Sequence, residues 1–273
     1  MPLPLDAVTV PGELSDASTA AQVLSLSVVI PVKNDARLLE SCLASLARQE
    51  RALGFQLIVV DNGSTDSSAA VAKRAGATVL FEARPSIAAA SETGYDHARG
   101  DIIARIDADT VLPVDWVRNL LDAFQGAPRV DAVTGPAGFL DGPRLLRRPA
   151  AVAYLGAYFV LGALALTHVP VFGSNFAMRR SAWESVRNQI HLSPDLHDDF
   201  DLSFHLGERH RIRFAPRVRV GISMRPLIDG AGWRRVQRGF RSVAIHWPHD
   251  LPWRRLARGW RLRREASRQR PAG

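Results

Sequence analysis

Two aspartates one residue apart, in the stretch Asp107-Ala108-Asp109-Thr110, follow directly on the run Asp101–Ile106 (DIIARI). Carboxylates this close at a buried strand end repel one another unless something positive holds them. Hard oxygen ligands suit Mg2+ or Mn2+, which bind through one or two carboxylates and bridge to substrate phosphates. A lone D-x-D is weak; at the carboxyl end of a strand it gains weight, because ligands of open α/β sheets sit there. Two more polar clusters end apolar runs in the same way, Pro31-Val32-Lys33-Asn34-Asp35 and Asp61-Asn62-Gly63-Ser64-Thr65-Asp66. Taken alone, the second reads equally well as a turn that caps the next helix.

These clusters need a scaffold, and the periodicity supplies one. Leu26–Val32 (LSVVIPV), Gln56–Asp61 (QLIVVD), Thr78–Phe81 and Asp101–Ile106 are short, mostly β-branched apolar runs. Between them lie helix-like stretches: Ala36–Arg48, with Leu38, Leu39, Leu43 and Leu46 at helical spacing, then Ser67–Ala75 and Ser86–Ala98. Short runs alternating with helices predict βαβ crossovers and a mostly parallel sheet covered on both faces. A further strand is expected over Asp131–Gly135, and Met178, Trp116 and Trp183 read as packing residues.

In this order and spacing, PVKND, LIVVDNGSTDSS, the stretch from Gly94 to Ala98-Arg99-Gly100-Asp101, IDADT, FGSNFAMRRSAW and the later DDFDL resemble the family 2 glycosyltransferases. The resemblance runs from about Ser25 to Pro216 and implies the GT-A fold, a Rossmann-like, mostly parallel α/β sheet flanked by helices. It implies inverting transfer from a nucleotide-diphosphate sugar, UDP being the commonest nucleotide among relatives, to a sugar or lipid-linked acceptor of the cell envelope. Pro31, Val32, Asn34 and Asp61 would line the nucleobase pocket, Asp61 accepting from a base N–H. Asp107 would lie near the ribose and sugar, and Asp109 would ligate the Mg2+ or Mn2+ on the diphosphate. Asp198-Asp199 matches the position of the family's Glu-Asp motif, whose second residue is the general base. The first member is Asp here, one methylene shorter. Read alone, Asp198, Asp199 and Asp201 could be a solvated helix N-terminus favoured by the helix dipole. Phe200, Leu202, Phe204 and Leu206 alternate like a strand, but the resemblance makes the segment helical. On a helix, Asp199, Leu202 and Leu206 share a face that turns the carboxylate inward. Asn175 and Arg179 fall in a segment that borders the acceptor in relatives; a plain loop and helix start explains them nearly as well. Ser91-Glu92 stands where many relatives carry Arg-Asn, and a Glu beside a diphosphate would be repulsive.

The rest of the composition limits the alternatives. The chain has 273 residues, 47% hydrophobic, with a single cysteine, Cys42. Disorder throughout, a disulfide framework and a cysteine-built metal site are thereby excluded. From Arg234 to Arg270 there are twelve arginines against two acids, so the formal charge of +8 belongs to this tail. Interleaved with Trp247, Trp253 and Trp260, and with Trp233 just before them, the arginines have the composition of a helix that lies on an anionic membrane surface. Nucleic acid is the lesser reading of the same pattern, and a catalytically impaired partner subunit is a third, hinted at only by Ser91-Glu92. Pro149–Met178 holds no charged residue but is only mildly apolar, and a crossing there would part the donor site from Asp199; the segment reads as a buried or membrane-surface helix. His191, His197, His205 and His210 match no helical metal-binding pair and read as surface or acceptor-contact histidines. The expected organisation is a flexible leader over 1–24, a transferase domain over 25–230 with halves at about 25–112 and 113–230, and a basic helical tail over 231–273. The expected location is cytoplasmic, at the inner face of the cell membrane.

Overall fold

The structure, a computed structural model, describes residues 24–49, 54–127, 129–228, 230, 232–247, 249–258 and 260. The expected leader lies outside the described residues except for Leu24, and the tail beyond Trp260 lies outside them too. In chain order the elements are β1 (Leu26–Val32), α1 (Ala36–Ala47), β2 (Phe55–Asp61), α2 (Ser68–Arg74), β3 (Thr78–Phe81), α3 (Ile87–His97) and β4 (Ile102–Arg105). Then come α4 (Trp116–Gln125), β5 (Ala132–Thr134), β6 (Ala137–Phe139), α5 (Arg144–Leu166), β7 (Phe176–Arg179), α6 (Arg180–Val186) and α7 (Asp198–Arg209). β8 (Ile212–Phe214), β9 (Val220–Ile222), α8 (Arg225–Ile228) and α9 (Gly232–His246) follow, with one more helical stretch over 252–258.

Seven strands form one sheet in the order β3-β2-β1-β4-β7-β5-β8, and β6 and β9 form a small parallel pair. β1 to β4 run parallel, as alternating short runs and helices require, whereas β7 is antiparallel to both β4 and β5. This reversal matters for the site. It brings the start of β7, Phe176, opposite Arg105 at the carboxyl end of β4, so the loop entering β7 arrives where β4 leaves the sheet.

β1 is buried at all seven positions, which is why it reads as an unbroken β-branched run. Leu39, Cys42, Leu43 and Leu46 bury one face of α1 against the sheet. On the opposite side, α3 approaches β1 and β2 so closely that a Cβ at Gly94 would overlap Val29 and stand 3.1 Å from Val60. Trp116, Met178 and Trp183 are core residues.

α7 resolves the conflict between two periodicities. Its residues alternate as a strand would, yet Asp199, Leu202 and Leu206 are buried together on a helix with three aspartates in its first turn. Those carboxylates suit the positive end of the helix dipole. α5 is one-sided: Ala151, Leu155, Gly162 and Leu166 are buried, while Leu145, Val152, Val160, Leu161 and Leu164 are exposed. By length and composition alone it could cross a membrane, and 22% of its most apolar window is buried. Of the two expected alternatives, a buried or a membrane-surface helix, full burial is corrected to a helix covered on one side only. Nor does the described part of the tail stand apart from the domain. α9 packs on α7, and Arg255 donates to Leu166 O at the end of α5 and to Phe204 O on α7.

Candidate active site

Arg105, the last residue of β4, is 2% exposed and is surrounded by carboxylates. One guanidinium nitrogen donates to Asp198 and, at 2.9 Å, to Asp199 Oδ1; the other donates to Asp107 Oδ1 at 3.1 Å. Both outer motifs, the aspartate pair after β4 and the aspartate pair opening α7, are therefore tied to one buried cation. The β7 entry loop completes the arrangement. Ser174 Oγ donates to Asp107 Oδ2 at 2.6 Å, and the Gly173 N–H donates to Asp199 Oδ2 at 2.7 Å. A Cβ there would overlap the Asp199 carboxylate as it stands.

Three carboxylates on one guanidinium leave surplus negative charge. Burial first, and then the neighbouring Asp198, push Asp199 well above the ordinary carboxylate range, and Arg105 offsets this only in part. Asp109 is pushed up to about 6, again by burial and then by Asp107. Arg225, at the start of α8, holds Asp109 Oδ2 at 3.1 Å and Asp35 Oδ2 at 2.6 Å from the rim. The donor set fits a hard divalent cation: two carboxylates at one strand end, one of them destabilised in its ionised form. His197, Asp198 and Asp199 also converge, with Arg105 paired to both of those carboxylates.

A cleft of about 410 Å³ opens over these groups. Pro31 and Val32 line it, as do Asp107, Asp109, Asp198 and Asp199. Asn34 and Asp61 stand beside the cleft, next to Lys33 and Asn62 of its lining. Asn34, at φ 53°, accepts from the Thr65 N–H at 2.7 Å, and Asp61 Oδ1 accepts from the Ser64 N–H at 2.9 Å. A larger hollow of about 510 Å³ between α1, α2 and the start of β2 brings together no such set of carboxylates.

Neither Asn175 nor Arg179, both expected beside the acceptor, lines the cleft. Asn175 is fully buried: its Oδ1 accepts from the Trp116 indole at 3.1 Å, and its amide donates to Val218 O at 2.7 Å and Pro136 O at 3.1 Å. Its side-chain amide fastens the core. Arg179 pairs with Ile102 at the opposite end of β4 from the cleft and donates to Val130 O at 2.9 Å. Of the four histidines expected at the surface or in contact with the acceptor, His191 is exposed, His197, His205 and His210 are half-buried, and His197 lines the cleft. Glu92 pairs with Arg84 at 3.1 Å and lies outside the cleft lining.

Sequence reasoning passed over Arg105, Ser174, Arg225, Arg235 and Arg238. An arginine inside an apolar strand run, two residues before Asp107, was a legible signal for the first. The others reach the site only through tertiary folding: Arg225 caps the rim, and Arg235 and Arg238 on α9 line the cleft.

The model of the family described as glycosyl transferase family 2 matches residues 27–187. An uncharacterised glycosyltransferase of Mycobacterium tuberculosis is 34% identical over 124 residues, 45% of this chain and 55% of its own. An undecaprenyl-phosphate 4-deoxy-4-formamido-L-arabinose transferase of Pseudomonas paraeruginosa is 34% identical over 118 residues, 40% of this chain and 35% of its own. The chain thus spans about half the length of the first curated relatives it matches. Among solved structures, glucosyl-3-phosphoglycerate synthase from M. tuberculosis with Mn2+, UDP and glucosyl-3-phosphoglycerate superposes with a TM-score of 0.57 at 22% identity, over 87% of this chain and 85% of that one. A mannosyltransferase from Pyrobaculum calidifontis with GDP-Man and Mn2+ gives 0.57 at 24%, over 79% and 61%. At these identities the likeness shows the fold, a mostly parallel GT-A sheet flanked by helices.

Proposed function

The chain belongs to glycosyl transferase family 2, which makes it a glycosyltransferase, and on that premise we propose a divalent-metal-dependent, inverting sugar transfer from a nucleotide-diphosphate donor to an acceptor hydroxyl. The carrying observation is that Asp107 and Asp109 from the end of β4 meet Asp198 and Asp199 from α7 in one cleft, joined through Arg105.

Breaking the sugar–phosphate bond leaves a diphosphate whose growing charge must be stabilised. Asp109, with Asp107 beside it, would hold Mg2+ or Mn2+, which when bound supplies Lewis-acid stabilisation of that leaving group. Arg235 and Arg238 add positive charge to the same wall. Pro31 and Val32 give the nucleobase a flat apolar edge, and the second oxygen of Asp61 accepts from a base N–H; UDP is the expected nucleotide. Asp199 takes the acceptor proton as the new bond forms. Its raised proton affinity favours that role, and the Gly173 N–H and Arg105 fix its orientation. A single displacement with one base inverts the anomeric centre.

The acceptor is read as a sugar or lipid-linked glycan of the cell envelope, used at the inner face of the cell membrane. Support comes from the exposed leucines and valines of α5 and from exposed Trp247, Trp253 and Trp260 set among arginines, the composition of an in-plane membrane contact. Thermal shift against UDP-, GDP- and dTDP-sugars tests the donor reading. Stabilisation by one nucleotide series, and only with Mn2+, is expected, since ligand bound to the native state raises its stability. No shift with any nucleotide sugar would reject it.

A further inference from the structure

Asp201 lies two residues beyond Asp199 on α7, yet its neighbours are three imidazoles from three parts of the chain. His191 comes from the loop before α7, His205 from one turn further along it, and His246 from the last residue of α9. His191 Nδ1 stands 2.8 Å from Asp201 Oδ1, His246 Nε2 3.0 Å and His205 Nε2 3.8 Å. All four ligand atoms lie within 4.8 Å of one another.

A hydrogen-bonded cap on a buried carboxylate explains only part of this arrangement. His191 and His246 already serve Oδ1, and the His191 N–H holds Oδ2 at 2.7 Å. His205 Nε2 is buried, points at the same oxygen and has no hydrogen-bond partner. A buried polar atom without a partner is a cost that packing alone does not call for.

We propose that His191, Asp201, His205 and His246 form a second cation site, separate from Asp109, for a first-row divalent ion of the Zn2+ type. Three imidazoles and a carboxylate suit such an ion, whereas Mg2+ and Mn2+ favour oxygen donors. Four-coordinate Zn2+ has bonds of about 2.0–2.1 Å, which places its ligands roughly 3.3 Å apart. The observed group is a slightly open version of that shell and closes by small side-chain rotations. Its surroundings are ordered for the purpose: the Phe204 ring stacks on His246 at 4.1 Å between centroids, 16° from parallel, and Oδ2 of Asp201 is held by backbone. The bound ion staples α9, which supplies Arg235 and Arg238 to the cleft, onto the helix that carries Asp198 and Asp199. The site stands on its own geometry, whatever nucleotide the cleft accepts.

The test uses the full chain stripped of metal by chelator, with Zn2+ alone titrated by calorimetry and Co2+ as a visible spectroscopic probe. One tightly bound equivalent, with the intense visible bands of four-coordinate Co2+, is expected in Asp109→Asn as in the parent, apart from any ion held at Asp109. His205→Ala is the discriminating variant, because His205 gives Asp201 no hydrogen bond to lose. It should weaken Zn2+ binding by at least ~10-fold while the melting temperature of the metal-free protein stays unchanged. His246→Ala should weaken it too. No binding of one equivalent, binding indifferent to both histidine variants, or binding lost in Asp109→Asn would each overturn the proposal and leave the histidines as packing around Asp201.

Discussion

Replacing Arg105 with methionine keeps most of the side-chain volume and removes the one cation that Asp107, Asp198 and Asp199 share. Each guanidinium–carboxylate contact, with charge centres about 4 Å apart and an effective dielectric constant near 20, contributes about 4 kcal/mol of attraction before desolvation. Desolvation of buried Arg105 and Asp199 and of half-buried Asp107 and Asp198 cancels much of that sum, so the realistic figure is the cost of stripping one partner from a largely buried ionic network, at most roughly 3–5 kcal/mol. The loss should depend on pH. Asp199 is already raised above its unfolded value, and without Arg105 it rises further. A carboxyl raised in the folded state binds more protons there than in the unfolded chain, so stability falls as pH climbs from about 4 through the folded value. Urea denaturation of parent and Arg105→Met at about pH 5 and about pH 8 measures both effects. The deficit should be larger at the higher pH, and adding Asp198→Asn should recover part of it, since contacting charges are not additive. A deficit below about 1 kcal/mol, or one equal at both pH values, would refute the idea that Arg105 holds the site together.

Asp109 gives a second pH signature. Its carboxyl titrates near 6 and is no ligand when protonated, so Mn2+-dependent donor binding, followed by calorimetry, should rise through that pH and level off above it. Because ionised Asp109 destabilises the metal-free fold above its folded value, Asp109→Asn should abolish Mn2+-dependent donor binding yet raise the metal-free melting temperature at alkaline pH. Gly173→Ala should lower transfer with donor affinity kept, since the added methyl displaces only the Asp199 carboxylate; parent-like turnover would deny that carboxylate a role. A chain ended at Gly230 should lose sedimentation with anionic vesicles and bind nucleotide sugar more weakly, because Arg235 and Arg238 leave the cleft with the tail.

The stretch from β1 to β4 was the most legible part of the chain. β1, β3 and the helices between them fall within a residue or two of their expected limits, because short β-branched runs and helical repeats alternate there without conflict. α7 was not decided by pattern: its apolar residues satisfy a strand's alternation, and burial of Asp199, Leu202 and Leu206 on one face settles it as a helix. Asn175 misled because a polar residue in a motif looks like a ligand contact, whereas here three core groups consume its amide. The histidine cluster could not be read from spacing, since His246 is 45 residues from Asp201 and meets it only when α9 folds back onto α7. The same return of α9 carries two arginines into a cleft that the sequence assigned to earlier motifs alone.

The central claim is that donor binding and proton removal are carried by separate carboxylates, Asp109 and Asp199. It is tested most directly by following labelled sugar from the nucleotide donor into a membrane lipid extract, with donor affinity measured on the same preparation of Asp199→Asn. Transfer should fall by roughly 10²–10⁴-fold, the usual worth of a general base, while donor affinity stays at the parent value. Transfer near the parent rate would place the base elsewhere, and loss of donor binding together with transfer would contradict the division of labour between the two ends of the cleft.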